Sequence, residues 1–181
     1  MTDNHATEHF AVTYTLSRAD YSAGLRLGML RLRPFRLVLF VLASVVALQY
    51  FFQTKGNLLT KLLSAGIAFV LFAMVLGFFV WLYSLLAAWI ARPGRGVIGE
   101  HTITLTEEGL TESTVVNRSE HSWAAVSSII SNDRLLIIVL DGFMMHIIPR
   151  RAFQSIEAAR NFILAAERLK NLASQPNDAA A

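Results

Sequence analysis

Two stretches without a charged residue decide most of what this chain can become. The first, from Leu37 to Phe52, reads LVLFVLASVVALQYFF, and the second runs uncharged from Leu62 to Ala91. A helix over 62–91 would reach about 45 Å, against about 30 Å for the apolar core of a bilayer. It is apolar on every side, whereas the core helix of a soluble bundle keeps a polar stripe for water. The shorter run is long enough if Pro34 starts the helix a turn earlier, with Arg36 snorkelling toward the headgroups. The chain is 54% apolar over 181 residues, and nearly all of the excess lies between positions 37 and 91. The sequence therefore predicts a transmembrane hairpin over 34–92, with spans 34–52 and 62–91. Trp81 and Tyr83 suit one headgroup level and Trp89 a lower one, and Pro93-Gly94 ends the second helix. The first apolar run begins too far into the chain for a cleavable signal, so it is expected to stay as an anchor.

Orientation follows from the basic residues. Arg26, Arg31, Arg33 and Arg36 precede the first span and Arg92 and Arg95 follow the second, while the connecting loop carries only Lys55 and Lys61. By the positive-inside rule both ends are expected to face the cytoplasm, as in a multi-pass protein of a plasma membrane. The short loop makes the spans antiparallel neighbours. Both carry small residues four apart, Ala43 with Ala47 and Ala73 with Gly77, a spacing that lets backbones approach where lipid supplies no hydrophobic drive. These four are the expected helix-packing residues.

The flanking segments have water-compatible patterns. In 1–33, His9 to Leu16 alternates with the period of a half-buried strand. Ser17 and Asp20 then look like the start of a helix with Tyr21, Leu25, Met29 and Leu32 on one side and arginines around the other, suited to a membrane surface. A lone strand is not stable in water and needs a sheet to join. The sheet expected on its side of the membrane lies in 96–175: strands over 100–106 and 110–116, a strand running into an irregular bend over 120–130, and a hairpin of 134–140 and 143–148 about Asp141-Gly142. Pro149 stops the last strand. Ser155 caps a helix to about Ala173 with Ile156, Ala159, Phe162, Ile163, Ala166 and Leu169 on one side, and 176–181 is a tail. The fold class expected is membrane α+β: a two-helix transmembrane hairpin plus a cytoplasmic antiparallel, bent sheet capped by a C-terminal helix, with the N-terminal strand joining the sheet.

Several kinds of chemistry have no residues to perform them. There is no cysteine, and so no thiolate nucleophile, disulfide or Cys-ligated metal. No GxSxG, phosphate loop, HExxH or glycine-rich dinucleotide fingerprint occurs, and an enzyme is not expected. A net charge of +3 is no nucleic-acid footprint. The spans hold no internal ionisable group of the kind an ion pathway needs. His101, His121 and His146 fall on three different strands and could meet with Glu100 or Glu120 as a metal site. None has a recognised ligand spacing, so the expectation is strand-end or surface histidines, with no metal and no cofactor.

The order of a strand and basic helix, two spans with a short outer loop, a strand module with a Trp-x-x-Val step at Trp123 and Val126, and the run Ile148-Pro149-Arg150-Arg151-Ala152-Phe153 before a last helix resembles the YcxB-like family. The resemblance implies a C-terminal domain similar to bacterial pleckstrin-homology (PH)-like folds and implies no known activity. Two features hint at binding. The segment 135–148 is apolar on both faces, so either it is a central strand covered by its own fold or its second face meets a protein partner, another copy or the membrane. Arg150 and Arg151, with Arg92 and Arg95, would present a basic rim to anionic headgroups. The functional expectation is a membrane-anchored interaction module whose cytoplasmic PH-like domain binds a protein partner or anionic lipid at a bacterial inner (plasma) membrane. The alternative is a small accessory subunit of a membrane transport or envelope complex.

Overall fold

The computed structural model describes residues 10–141 and 144–174. His9, Gly142 and Phe143, where a strand start and the hairpin turn were expected, lie outside the described residues, as does the tail 176–181. The chain divides into two compact units, one within Leu25–Ala88 and the other within Met1–Gly24 and Trp89–Ala181.

The first unit is dominated by two long helices, α2 (Arg33–Gln53) and α3 (Leu58–Ile90). Both are long and apolar enough to cross a membrane. Helix α3 starts four residues before the expected 62, because Asn57 caps it: its side-chain oxygen accepts from the Thr60 N–H at 2.9 Å. The connection shrinks to residues 54–57, with Gly56 at φ 133°. Thr54 and Ser64 hydroxyls bond across it at 2.8 Å. Farther along, Phe40 meets Phe69 edge to face, and Val46 and Tyr50 share an apolar groove with Ala68 and Phe72.

The small residues divide unevenly. Ala43 is buried and Ala47 half-buried, but Ala73 and Gly77 are exposed, and a Cβ added at Gly77 would meet nothing within 4 Å. The covered side of α3 is Ala68, Val80, Ser84 and Ala88, all a multiple of four apart. Ser84 receives a hydrogen bond from the Arg26 guanidinium at 3.3 Å.

The second unit holds two antiparallel sheets. The four-stranded one has the order β1 (Phe10–Leu16), β2 (Gly99–Leu105), β3 (Gly109–Thr114), β4 (Arg118–Ser122); the three-stranded one is β5 (Val126–Ser131), β6 (Leu135–Leu140), β7 (Met145–Pro149). Strand β1 pairs with β2 along its whole length, Phe10 opposite Leu105 and Leu16 opposite Gly99, so the N-terminal strand joins the sheet as its alternation required. The unit thus takes in β1 as well as the span expected over 96–175. The expected strand over 120–130 is instead cut in two. A 3-10 turn, Trp123–Ala125, separates β4 from β5 and passes the chain from one sheet to the other. Trp123 is buried there and donates its indole N–H to the Thr106 carbonyl at 2.8 Å, with Val126 buried beside it in sequence. That is the physical content of the Trp-x-x-Val step.

Strand β6 is buried at all six positions. It is the middle strand of its sheet with both faces covered, so the two-sided apolar pattern belongs to the core. The helix after β1, α1 (Arg18–Arg31), starts as expected: Ser17 Oγ accepts from the Asp20 N–H and the Asp20 carboxylate accepts from the Ser17 N–H, a reciprocal cap. Of the expected face only Leu25 is buried. Tyr21 and Met29 are only half-buried and Leu32 follows the helix, while Ser22, Gly24, Leu25 and Gly28 are covered. Gly24 shows why: a Cβ there would lie 2.4 Å from the Ile147 side chain, so α1 approaches β7 closely only through a residue without one. Helix α4 (Ile156–Ala173) is capped by Ser155, which accepts from the Ala158 N–H at 3.0 Å. Ala159, Phe162 and Ala166 make its buried stripe, and Ile156, expected on it, is exposed.

Candidate functional site: a buried histidine-glutamate cluster and a divided basic rim

The inner face of the four-stranded sheet is set by strand parity. Tyr14 lies opposite His101 and Leu110 opposite His121, while Ile103 lies opposite Glu112. His101 shares its phase with Ile103 and Leu105, which are fully buried, so the fold carries the imidazole inward with them. His146 comes from β7 of the other sheet and is buried too. Between them stands Glu112: one carboxylate oxygen is 2.9 Å from His101 Nδ1 and the other 3.1 Å from His146 Nδ1. His121 lies beside His146, ring centroids 5.4 Å apart, and Tyr14 stacks on His101 at 5.5 Å and 10°.

The expectation of surface histidines is therefore overturned for His101 and His146. The partnering carboxylate is Glu112, whereas Glu100 and Glu120 are exposed on the outer face. Among the described residues no group of three or more His, Asp or Glu side chains is placed to hold a metal ion. Each oxygen of Glu112 is already committed to a histidine.

The electrostatics follow from the geometry. Burial alone would push the Glu112 carboxyl up, but hydrogen bonds from His101 and His146, with the charge of both rings, hold it down at about 2. The cluster thus contains a carboxylate. The other ring nitrogen of His101 lies 3.2 Å from the Val97 carbonyl. Carbonyl and carboxylate can only accept, so His101 makes both bonds only with a proton on each nitrogen. Burial, then the charge of His146, lowers the pKa of His121, against a smaller opposing pull from Glu112. Burial, helped by the nearby Glu112 charge, drives the Tyr14 phenol far up. What this arrangement does chemically is hold charge and fasten elements. It joins β2 and β3 of one sheet to β7 of the other, and through Val97 it ties down the segment that follows α3.

The four arginines expected in one basic rim are not equivalent. Arg151 donates two hydrogen bonds to the Asp20 carboxylate and one to the Thr15 carbonyl at 3.2 Å, which fastens the β7–α4 connection to the start of α1. The bond from Arg151, opposed by burial and aided by Ser17, holds the Asp20 carboxyl at about 2. Arg150 donates its Nε–H to the Asn132 carbonyl at 3.1 Å. Arg92 and Arg95 are exposed. The Ile-Pro-Arg-Arg-Ala-Phe run is thus a fastening: Ile148 and Pro149 are buried, both arginines reach back to earlier elements, and Phe153 meets Phe162 of α4 at 5.3 Å.

Residues 105–164, from the end of β2 into α4, match the family described as YcxB-like protein. The two long apolar helices precede the matched residues. The match takes in Glu112, His121, His146, the Trp123 turn and the Arg150-Arg151 fastening. His101, Arg92 and Arg95 fall before it. No curated protein matches the chain.

Proposed function

We propose that the protein is a membrane-anchored interaction module, not an enzyme. Helices α2 and α3 insert in a bacterial inner membrane with both termini in the cytoplasm, and the two-sheet unit works at the inner surface on anionic lipid or a protein partner. The observation that carries this reading is the exposure of the helices: only 6% and 11% of their most apolar windows are buried by the protein itself. A soluble protein would cover such surface, and lipid is the medium that removes the need. The excess of arginine at both outer ends supports the orientation. The PH-like character of the domain is part of the same proposal, supported by two antiparallel sheets, of four and three strands, and a helix that follows the last strand. After alkaline carbonate extraction the full chain should stay in the membrane pellet, and reporters fused to either end should read cytoplasm. Recovery in the supernatant, or ends on opposite sides, overturns the reading.

A specific observation favours a second role. Ala73 and Gly77 form a small-residue step on the exposed side of α3, a surface that would let another span approach closely. This fits a homo-oligomer or an accessory subunit of a transport or envelope complex. Bulky substitution at Gly77 would then change the size of the detergent-solubilised particle, and an unchanged particle removes this role.

A further inference from the structure

We infer that the β3–β4 turn is a docking tip that seats the two-sheet unit on the anionic membrane surface beside the point where α3 leaves the lipid. The inference rests on α3 being a membrane span. Turns at the tip of a hairpin are normally built of Gly, Asn, Asp or Ser. Here the outermost residues are Val115 and Val116, exposed to 81% and 59%, with Val97 nearby at 39%.

Three observations give this tip an occupant. The first is its backbone. The Thr114 hydroxyl accepts from the Val116 N–H at 3.4 Å and the Asn117 N–H at 3.0 Å, while the Thr114 N–H bonds the Asn117 carbonyl at 2.7 Å. The turn satisfies these groups internally, which removes a main cost of entering a layer poor in water.

The second is place. Gly96 lies against the tip, a Cβ there falling 3.3 Å from the Val116 side chain. Ile90, the last residue of α3, is six positions before Gly96, about 20 Å even if fully extended. The strap between is not extended: Pro93 bridges to Ile98 and the Gly94 N–H donates to the Ile98 carbonyl at 2.9 Å. Trp89 and Ile90 belong to the same compact unit as the tip.

The third is charge. Arg92 and Arg95 stand exposed in this strap, Arg95 next in sequence to the Gly96 that lies against the tip, with no acidic residue between Leu58 and Gly99. Arg118 is answered by Glu120 at 2.8 Å. At the same end of the sheet the pairing of Leu16 with Gly99 brings up Arg18 and Glu100, which offset each other. The balance is an apolar pair with a net positive border, the composition that binds an anionic interface.

The absence of cysteine makes a direct test possible. Single variants Val116→Cys, Phe79→Cys and Glu157→Cys of the full chain, each spin-labelled, are reconstituted in vesicles of phosphatidylcholine with 30% phosphatidylglycerol or of phosphatidylcholine alone. Collision with oxygen or with a water-soluble nickel complex then reads depth. The expected result is that position 116 resembles position 79, favouring oxygen, while position 157 favours nickel; that position 116 moves toward water in neutral vesicles; and that Arg92→Glu with Arg95→Glu does the same in anionic ones. A water-exposed label at 116 with 79 in lipid overturns the docking and leaves the anchor standing, the outcome expected if the tip serves a protein partner. Both labels in water overturn the anchor itself. Equal depth of 116 in both vesicle types overturns the anionic preference.

Discussion

Strand β6 is built wholly and helix α3 mostly of large apolar residues, yet every residue of one is covered by protein and most of the other is bare. The difference is one of length and secondary structure. Six extended residues present two narrow faces, which two flanking layers can cover. Thirty-three helical residues extend about 50 Å and present a full cylinder, more than a protein of this size has layers to surround. If α3 crosses a membrane as proposed, the same composition ends in two solvents. A core strand is held by neighbours fixed in place, and a span by a fluid that tolerates many side chains and few charges.

The comparison breaks most sharply where a charge is placed in each region. Ile138→Asp buries an unpaired carboxylate in β6 and should cost more than about 4 kcal/mol, seen as loss of the cooperative melt of the detergent-solubilised chain. Leu71→Arg, on the exposed side of α3, should leave that melt nearly unchanged but cost about 3 kcal/mol in insertion, read as a smaller membrane-integrated fraction. If Leu71→Arg collapsed the melt as Ile138→Asp does, α3 would be a core helix after all.

Inside the two-sheet unit the next largest effect falls on Glu112. Glu112→Ala strips two buried histidines of their shared acceptor and should cost about 2 to 3 kcal/mol, discounted for the part of the carboxylate that sees water. The acid response gives the sign. The Glu112 and Asp20 carboxyls are held at about 2, below their ordinary range, so their stabilisation is complete above about pH 4.5 and drains away as pH falls toward 2. His121, with its pKa lowered, adds to the loss from about pH 6.5 downward. Melting temperature followed against pH should fall on acidification over this range, and Glu112→Gln should flatten the limb below pH 4.5. A limb unchanged in that variant would remove Glu112 from the account.

The smallest effects test the fastenings. Asp20→Ala releases a largely exposed Arg151 and Ser155→Ala uncaps α4; each should lower stability by about 1 kcal/mol. The two losses should add, because the residues share no partner.

Strand parity in the sequence already held more of the cluster than was taken from it. His101 alternates with Ile103 and Leu105, and Glu112 alternates with Leu110, so both could be placed on an inner face from their spacing. What spacing could not say is that β7 would bring His146 to that same carboxylate, because the contact joins strands of different sheets across a register no local pattern specifies. The same limit explains the arginines. Arg150 and Arg151 look as free as Arg92 and Arg95 until the tertiary fold sets Asn132 and Asp20 within reach.

The sequence by itself determined the two long apolar helices, the alternating strands, the Ser17 and Ser155 caps and the entry of the N-terminal strand into a sheet. These follow from periodicity and from local hydrogen bonds that close within a few residues. Only the tertiary structure decided that the chain changes sheets at Trp123, that α1 rests on β7 through Gly24, and that small residues at 73 and 77 stay uncovered while 68, 84 and 88 do not. Each is a choice among surfaces of similar composition, settled by which shapes meet closely and which buried charges find a partner.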